Sequence, residues 1–129
     1  MKAPKQQAIT FDEINELIWK HAEARDWHHN PPHTLAISIV LEATELLEHY
    51  QWSDKPEGKK EDLAAELADI FIYAIEFAQV NNIDIVEAIR QKLQKSAEKY
   101  PAENFKGKSS KASHKAWIDA KLNHRKTGL

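Results

Sequence analysis

The sequence predicts an all-α fold: a compact four-helix bundle-like protomer followed by a short C-terminal extension. Three observations carry this. Apolar residues recur at helical spacing in four stretches, no stretch shows sustained strand alternation, and only three glycines and five prolines punctuate 129 residues. A chain of this length buries a modest core in one domain. The expected division is residues 1–101 as the helical domain and 102–129 as a basic, partly flexible extension.

Thr10-Phe11-Asp12-Glu13 reads as a capping box, with the Thr10 hydroxyl accepting an orphan N–H and Glu13 reaching back. A first helix is expected over about 10–28, with Phe11, Ile14, Leu17, Ile18 and Ala22 on one face. Pro31 and Pro32 cannot continue it, because they remove donors and disfavour helical backbone before them. A second helix fits 34–50. The run from Gln51 to Lys60, holding Pro56 and Gly58, is a loop. A third helix fits 61–80 and stops at Asn81-Asn82. Asp84 to Glu87 repeats the capping-box pattern and opens a fourth helix over 84–100, which Pro101 ends. Beyond it, Glu103 to Ser113 reads as irregular, and Ser113 to Leu122 as a short helix with Trp117, Ile118 and Leu122 on one side.

The net charge of −2 conceals an asymmetry. Residues 101–129 carry seven Lys/Arg against two acids, while residues 1–100 carry eleven basic against eighteen acidic side chains. An acidic body argues against a general nucleic-acid binder, whose basic patch belongs on the folded body. It suits a body that gathers cations. The chain has no cysteine, so disulfides and thiolate metal sites are excluded. No apolar leader or bilayer-length run is visible, and the expected location is the cytoplasm, with no membrane partner.

The chemistry lies in two acid pairs. Glu42-x-x-Glu45 and Glu66-x-x-Asp69 each put two carboxylates on one helix face. At roughly 100° per residue, Glu66, Asp69, Tyr73 and Glu76 form one narrow stripe. Leu63, Leu67, Ile70, Phe71, Ala74, Ile75 and Ala78 fill most of the remaining circumference, so this helix is expected to be buried nearly all round. Glu42 and Glu45 share a sector with Ser38 and His49, flanked by Leu35, Leu41 and Leu46. Both pairs therefore look into a cleft between packed helices. Converging, dehydrated carboxylates must protonate, pair with bases or hold metal. From Leu35 to Val80 the only cations are Lys55, Lys59 and Lys60, at the loop and its edge. Hard oxygen donors suit Mg²⁺, or Mn²⁺, with a substrate's phosphates completing the shell. A coincidental buried-acid or interface arrangement is the alternative. A di-iron bundle is excluded, since it needs Glu-x-x-His and no Glu here has His three residues later.

These residues, in this order, resemble the MazG-like all-α nucleotide pyrophosphohydrolases, in the branch of the dCTP pyrophosphatases. The matching pieces are Arg25-Asp26-Trp27, then Leu41 to Glu48, Tyr50-Gln51-Trp52, Glu66 to Tyr73, Lys92, and Lys99-Tyr100-Pro101. The likeness covers roughly residues 10–107, and the paired E-x-x-E and E-x-x-D signature with its flanks is fairly specific. The resemblance implies a Mg²⁺-dependent cut of a nucleoside triphosphate to monophosphate and pyrophosphate, on dCTP-like or modified deoxynucleotides. It implies a homo-oligomer, dimer or tetramer. By position, Glu42, Glu45, Glu66 and Asp69 would be metal ligands, with Glu45 and Asp69 also catalytic. Trp27, Trp52 and Tyr73 would line the nucleotide pocket, and Lys92 and Tyr100 would approach phosphates or sugar. Thr34 and Ser96 stand where relatives commonly carry Asn, and both fall near the expected base pocket.

Two rival functions fit the same helices: an all-α hydrolase of dUTP or phosphoribosyl-ATP, and a non-enzymatic helical interaction module whose acids form a dimer contact. Among the histidines, His28, His29 and His33 cluster in a loop, while His21 and His49 read as helix-packing residues. Lys106-Gly107-Lys108 reads as a linker.

Overall fold

The computed structural model describes residues 7–127, in two compact units, one ending at Asp84 and the other beginning at Ile85. Every regular element among the described residues is helical, as the periodicity predicts.

The first unit holds α1 (Phe11–Glu23), α2 (Pro32–Glu48) and α3 (Lys60–Val80). Thr10 caps α1, its hydroxyl accepting from the Glu13 N–H at 3.2 Å. The helix ends at Glu23, several residues short of the expected boundary. Asp26 takes a left-handed φ of 55°, and Trp27 N–H donates to the Ala22 carbonyl at 2.9 Å while Asp26 N–H donates to that of Glu23 at 3.1 Å. This pair of bonds is the Schellman closure. The same closure ends α3, with Asn82 at φ 53°, Ile83 donating to Ala78 and Asn82 to Gln79.

The second helix starts two residues earlier than expected, at Pro32, because a proline at the first helical position gives up only an N–H that has no helical partner. At the start of α3 the Asp62 carboxylate accepts from the Lys59 N–H at 2.8 Å.

Helices α2 and α3 form the principal packed pair, and α1 lies against α3. Gln79 pins α1 to α3, donating to the Asn15 backbone carbonyl at 2.8 Å and its side-chain oxygen at 3.1 Å. Among the described residues, Ala22, Leu35, Ile75 and Ala78 are the buried apolar ones, and Glu76 is buried with them at 8% exposure. The expectation that α3 is sealed nearly all round does not hold for the chain by itself. Leu67 and Phe71 remain open, Phe71 at 59%. One hairpin partner and one short helix cover only part of the circumference of α3.

The second unit holds α4 (Ile85–Lys99), a single 3-10 turn at Ala102–Asn104, and α5 (Ser110–Thr127). The final helix is longer than the ten residues expected. The Ser109 hydroxyl accepts from Ala112 N–H at its start, and His124, Arg125 and Lys126 suit the negative end of its dipole. Tyr100 meets Phe105 edge-on at 6.0 Å, and Lys121 sits 4.0 Å over the Trp117 ring. No described helix is long and apolar enough to cross a membrane.

Candidate metal and phosphate centre

Three of the four paired acids come together, and Asp69 stands outside that group. Glu42 and Glu45 on α2 and Glu66 on α3 each offer a carboxylate oxygen, and these oxygens lie within 4.8 Å of one another. Along the two helices His49 and Glu45 face Glu66, while Glu42 feels the charge of Asp69 and in turn acts on Tyr73. Falling numbers on α2 thus meet rising numbers on α3, so the pair runs antiparallel and its acidic stripes face each other.

The electrostatics follow from this crowding. Loss of hydration, then a hydrogen bond with Glu45 and the charges of Glu45, Asp69 and Glu66, hold the Glu42 carboxyl above its ordinary range. Glu66 is raised for the same reasons, loss of hydration first and then its hydrogen bond with Glu45, with His49 pulling the other way. A hydrogen bond between two carboxyls requires a shared proton, and a divalent cation is the other way to relieve the repulsion. Tyr73 is raised by burial and then by the field of Glu42, Glu76, Asp69 and Glu45, which puts it on the acid stripe as expected. Glu76 is raised by burial alone.

A recess of about 390 Å³ opens beside the cluster, lined by Glu45, Glu48, His49, Glu57 and Glu66. Sequence reasoning did not assign His49 or Glu57 to the site. His49 was read as a packing residue, yet its Nε2 stands 3.6 Å from Glu66 Oε1. A signal was present, since His49 shares the helical sector of Glu42 and Glu45. Glu57 arrives through the loop, its N–H donating to the His49 carbonyl at 2.8 Å.

The remaining expected residues are placed as follows. Trp27 follows the α1 closure, half exposed, with His21 edge-on at 6.0 Å and Arg25 over its ring at 5.8 Å. Trp52 is 79% exposed in the α2–α3 loop. Lys92 on α4 and Tyr100 just after it belong to the second unit, where Lys99 Nζ lies 5.2 Å over the Tyr100 ring.

The donor set is all oxygen, converging and short of positive charge, which fits a hard divalent cation. Known proteins resemble this chain. A profile of the MazG-like family matches residues 37–114, which include both acid pairs. Mouse (Mus musculus) dCTP pyrophosphatase 1 is 28% identical over 111 residues, 79% of this chain and 65% of the mouse protein. The human (Homo sapiens) protein of that name is 30% identical over the same shares. The chain thus spans 65% of the length of these two relatives. The crystal structure of a pyrophosphatase from Archaeoglobus fulgidus matches with a TM-score of 0.66 and 29% identity, over 77% of this chain and 99% of that one. With the helical hairpin, its facing acids and the profile match in agreement, this chain belongs to the MazG-like family.

Proposed function

We propose that the chain is a Mg²⁺-dependent nucleoside triphosphate pyrophosphohydrolase, releasing nucleoside monophosphate and pyrophosphate in the cytoplasm. The substrates fitting a nucleotide-pool role are dCTP-like or modified deoxynucleotides. The observation that carries the reading is the meeting of Glu42, Glu45 and Glu66 oxygens within 4.8 Å across two helices. The named activity of the mammalian relatives supports the substrate class.

Glu42, Glu45, Glu66 and Asp69 would hold Mg²⁺, or Mn²⁺, which when bound neutralises phosphate charge and promotes attack by water. The chain's own residues do the rest. The hairpin holds Glu42, Glu45 and Glu66 together before substrate arrives, so less reorganisation is left for the reaction itself. Water adds to phosphorus, a phosphoanhydride bond breaks, and the proton lost by water passes to a carboxylate, with Glu45 and Asp69 as the acceptors in this scheme. Tyr73 borders the acids, while Trp27 and Trp52 offer faces on which a base can stack. The family resemblance adds Lys92 and Tyr100, a cation and a hydroxyl that would serve phosphate and sugar. The apolar stripes left open on the protomer fit association into a homodimer or tetramer.

A panel of nucleoside triphosphates, assayed for monophosphate and pyrophosphate with Mg²⁺ and with EDTA, tests the proposal. Turnover is expected with Mg²⁺ and a deoxycytidine nucleotide, and none with EDTA. Glu42→Gln and Asp69→Asn are each expected to lower kcat by on the order of 100-fold or more while leaving the far-ultraviolet circular dichroism unchanged. Full activity in either variant, or turnover indifferent to EDTA, would contradict the reading.

A further inference from the structure

We propose that His49 is a positioning residue for the metal centre, holding the Glu66 carboxylate at the angle from which it ligates; this rests on the metal-binding reading above. Three observations place the ring there. Its Nε2 stands 3.6 Å from Glu66 Oε1, both side chains being largely shielded at 18% and 23% exposure. Its Nδ1–Cε1 edge lies against Gly58, where an added Cβ would collide with both of these atoms. Its backbone carbonyl accepts from Glu57 at 2.8 Å, tying the loop that carries Gly58 to the end of α2.

The ring is thus clamped between a loop that leaves room for it only because residue 58 has no side chain and a carboxylate that faces two others. Glu66 without a partner would be pushed by Glu45 and free to turn away. An N–H on one side biases it toward a single orientation and leaves lone pairs for a cation. Partners of this kind, which touch the ligand and not the ion, typically govern affinity by about 10- to 100-fold. At 3.6 Å the contact is electrostatic and not yet a closed hydrogen bond. Catalytic groups in a free site are often this loose and tighten when loaded.

The test is a titration of the full chain with Mn²⁺ alone, following free ion by electron paramagnetic resonance, beside the melting temperature of the metal-free protein. His49→Phe keeps the ring against Gly58 but removes the N–H, and is expected to weaken Mn²⁺ binding about tenfold with little change in metal-free melting. His49→Gln, which restores a donor, should recover most of the affinity. Gly58→Ala, which drives the ring off its seat, should weaken binding as His49→Phe does. Wild-type affinity in a folded His49→Phe, or equal loss in His49→Phe and His49→Gln, overturns the positioning role alone. Absence of Mn²⁺ uptake by the unsubstituted chain overturns this role together with the metal reading.

Discussion

Glu76 shows how the acid stripe of α3 changes character along its length. Glu66 and Asp69 look across to α2, while Glu76, two turns from Asp69, is buried at 8% exposure and its carboxyl is raised by loss of hydration. A raised carboxyl binds its proton more tightly in the folded state than in the unfolded one. Its contribution to stability is therefore most favourable at low pH and declines as pH rises from the unfolded value through the folded one. Glu76→Gln is expected to raise the melting temperature at pH 7.5 by about 3 °C. The gain should fade toward about pH 3, below the ordinary glutamate value, where the carboxyl is protonated in both states. Thermal scans of both proteins across pH check the sign; a gain that grows on acidification would refute it. At this scale the sequence was readable where chemistry repeats at helical spacing, which is why Glu42, Glu45 and Glu66 meet as expected. It was less readable where a loop of unknown path delivers a partner. His49 lay on the right sector, but that Gly58 would return against its ring depends on how the loop from Gln51 folds, and residue spacing does not fix that.

The helices themselves were legible in kind and less so in extent. The side-chain cap at Thr10 was found because its signal is local and chemical, whereas those at Asp62 and Ser109 were not. Asp26 ends α1 by a backbone conformation, and an Asp in a charged run does not announce a left-handed turn as a glycine would. Asn82 does the same work for α3, and there the stop was anticipated from the Asn pair. Ordinary L-residues pay about 1–2 kcal/mol in that region, whereas Asn tolerates it through local hydrogen bonding. Asn82→Ala is expected to destabilise the protein by about 1 kcal/mol, read as a lower denaturant midpoint, while Asn82→Gly should stay close to the original. An Ala variant as stable as the parent would mean that the closure of α3 contributes nothing. The acid stripe depends on this element, since α3 carries Glu66 and Asp69 and is anchored to α1 near its end through Gln79.

Across the described residues, much apolar surface lies open. Helical stripes stay open on α2 (Val40, Leu47), α3 (Leu67, Phe71), α4 (Val86, Ile89, Leu93) and α5 (Trp117, Ile118, Leu122). Contiguous exposed apolar surface marks a place where something binds. The periodicity that predicted a buried α3 was sound about the chemistry of that helix. Spacing marks which residues of α3 are apolar and does not say whether anything covers them. Sedimentation at micromolar concentration is expected to give a mass of two or four chains, and Phe71→Lys to shift it toward one; a monomeric parent would count against the assembly. That only Ala22, Leu35, Ile75 and Ala78 are buried apolar side chains among the described residues carries a thermodynamic corollary. If most of the burial is completed only between molecules, unfolding and dissociation become one reaction, and its midpoint obeys mass action. Diluting the protein should then act like a mild denaturant, with the melting temperature falling by a few degrees for each tenfold drop in concentration.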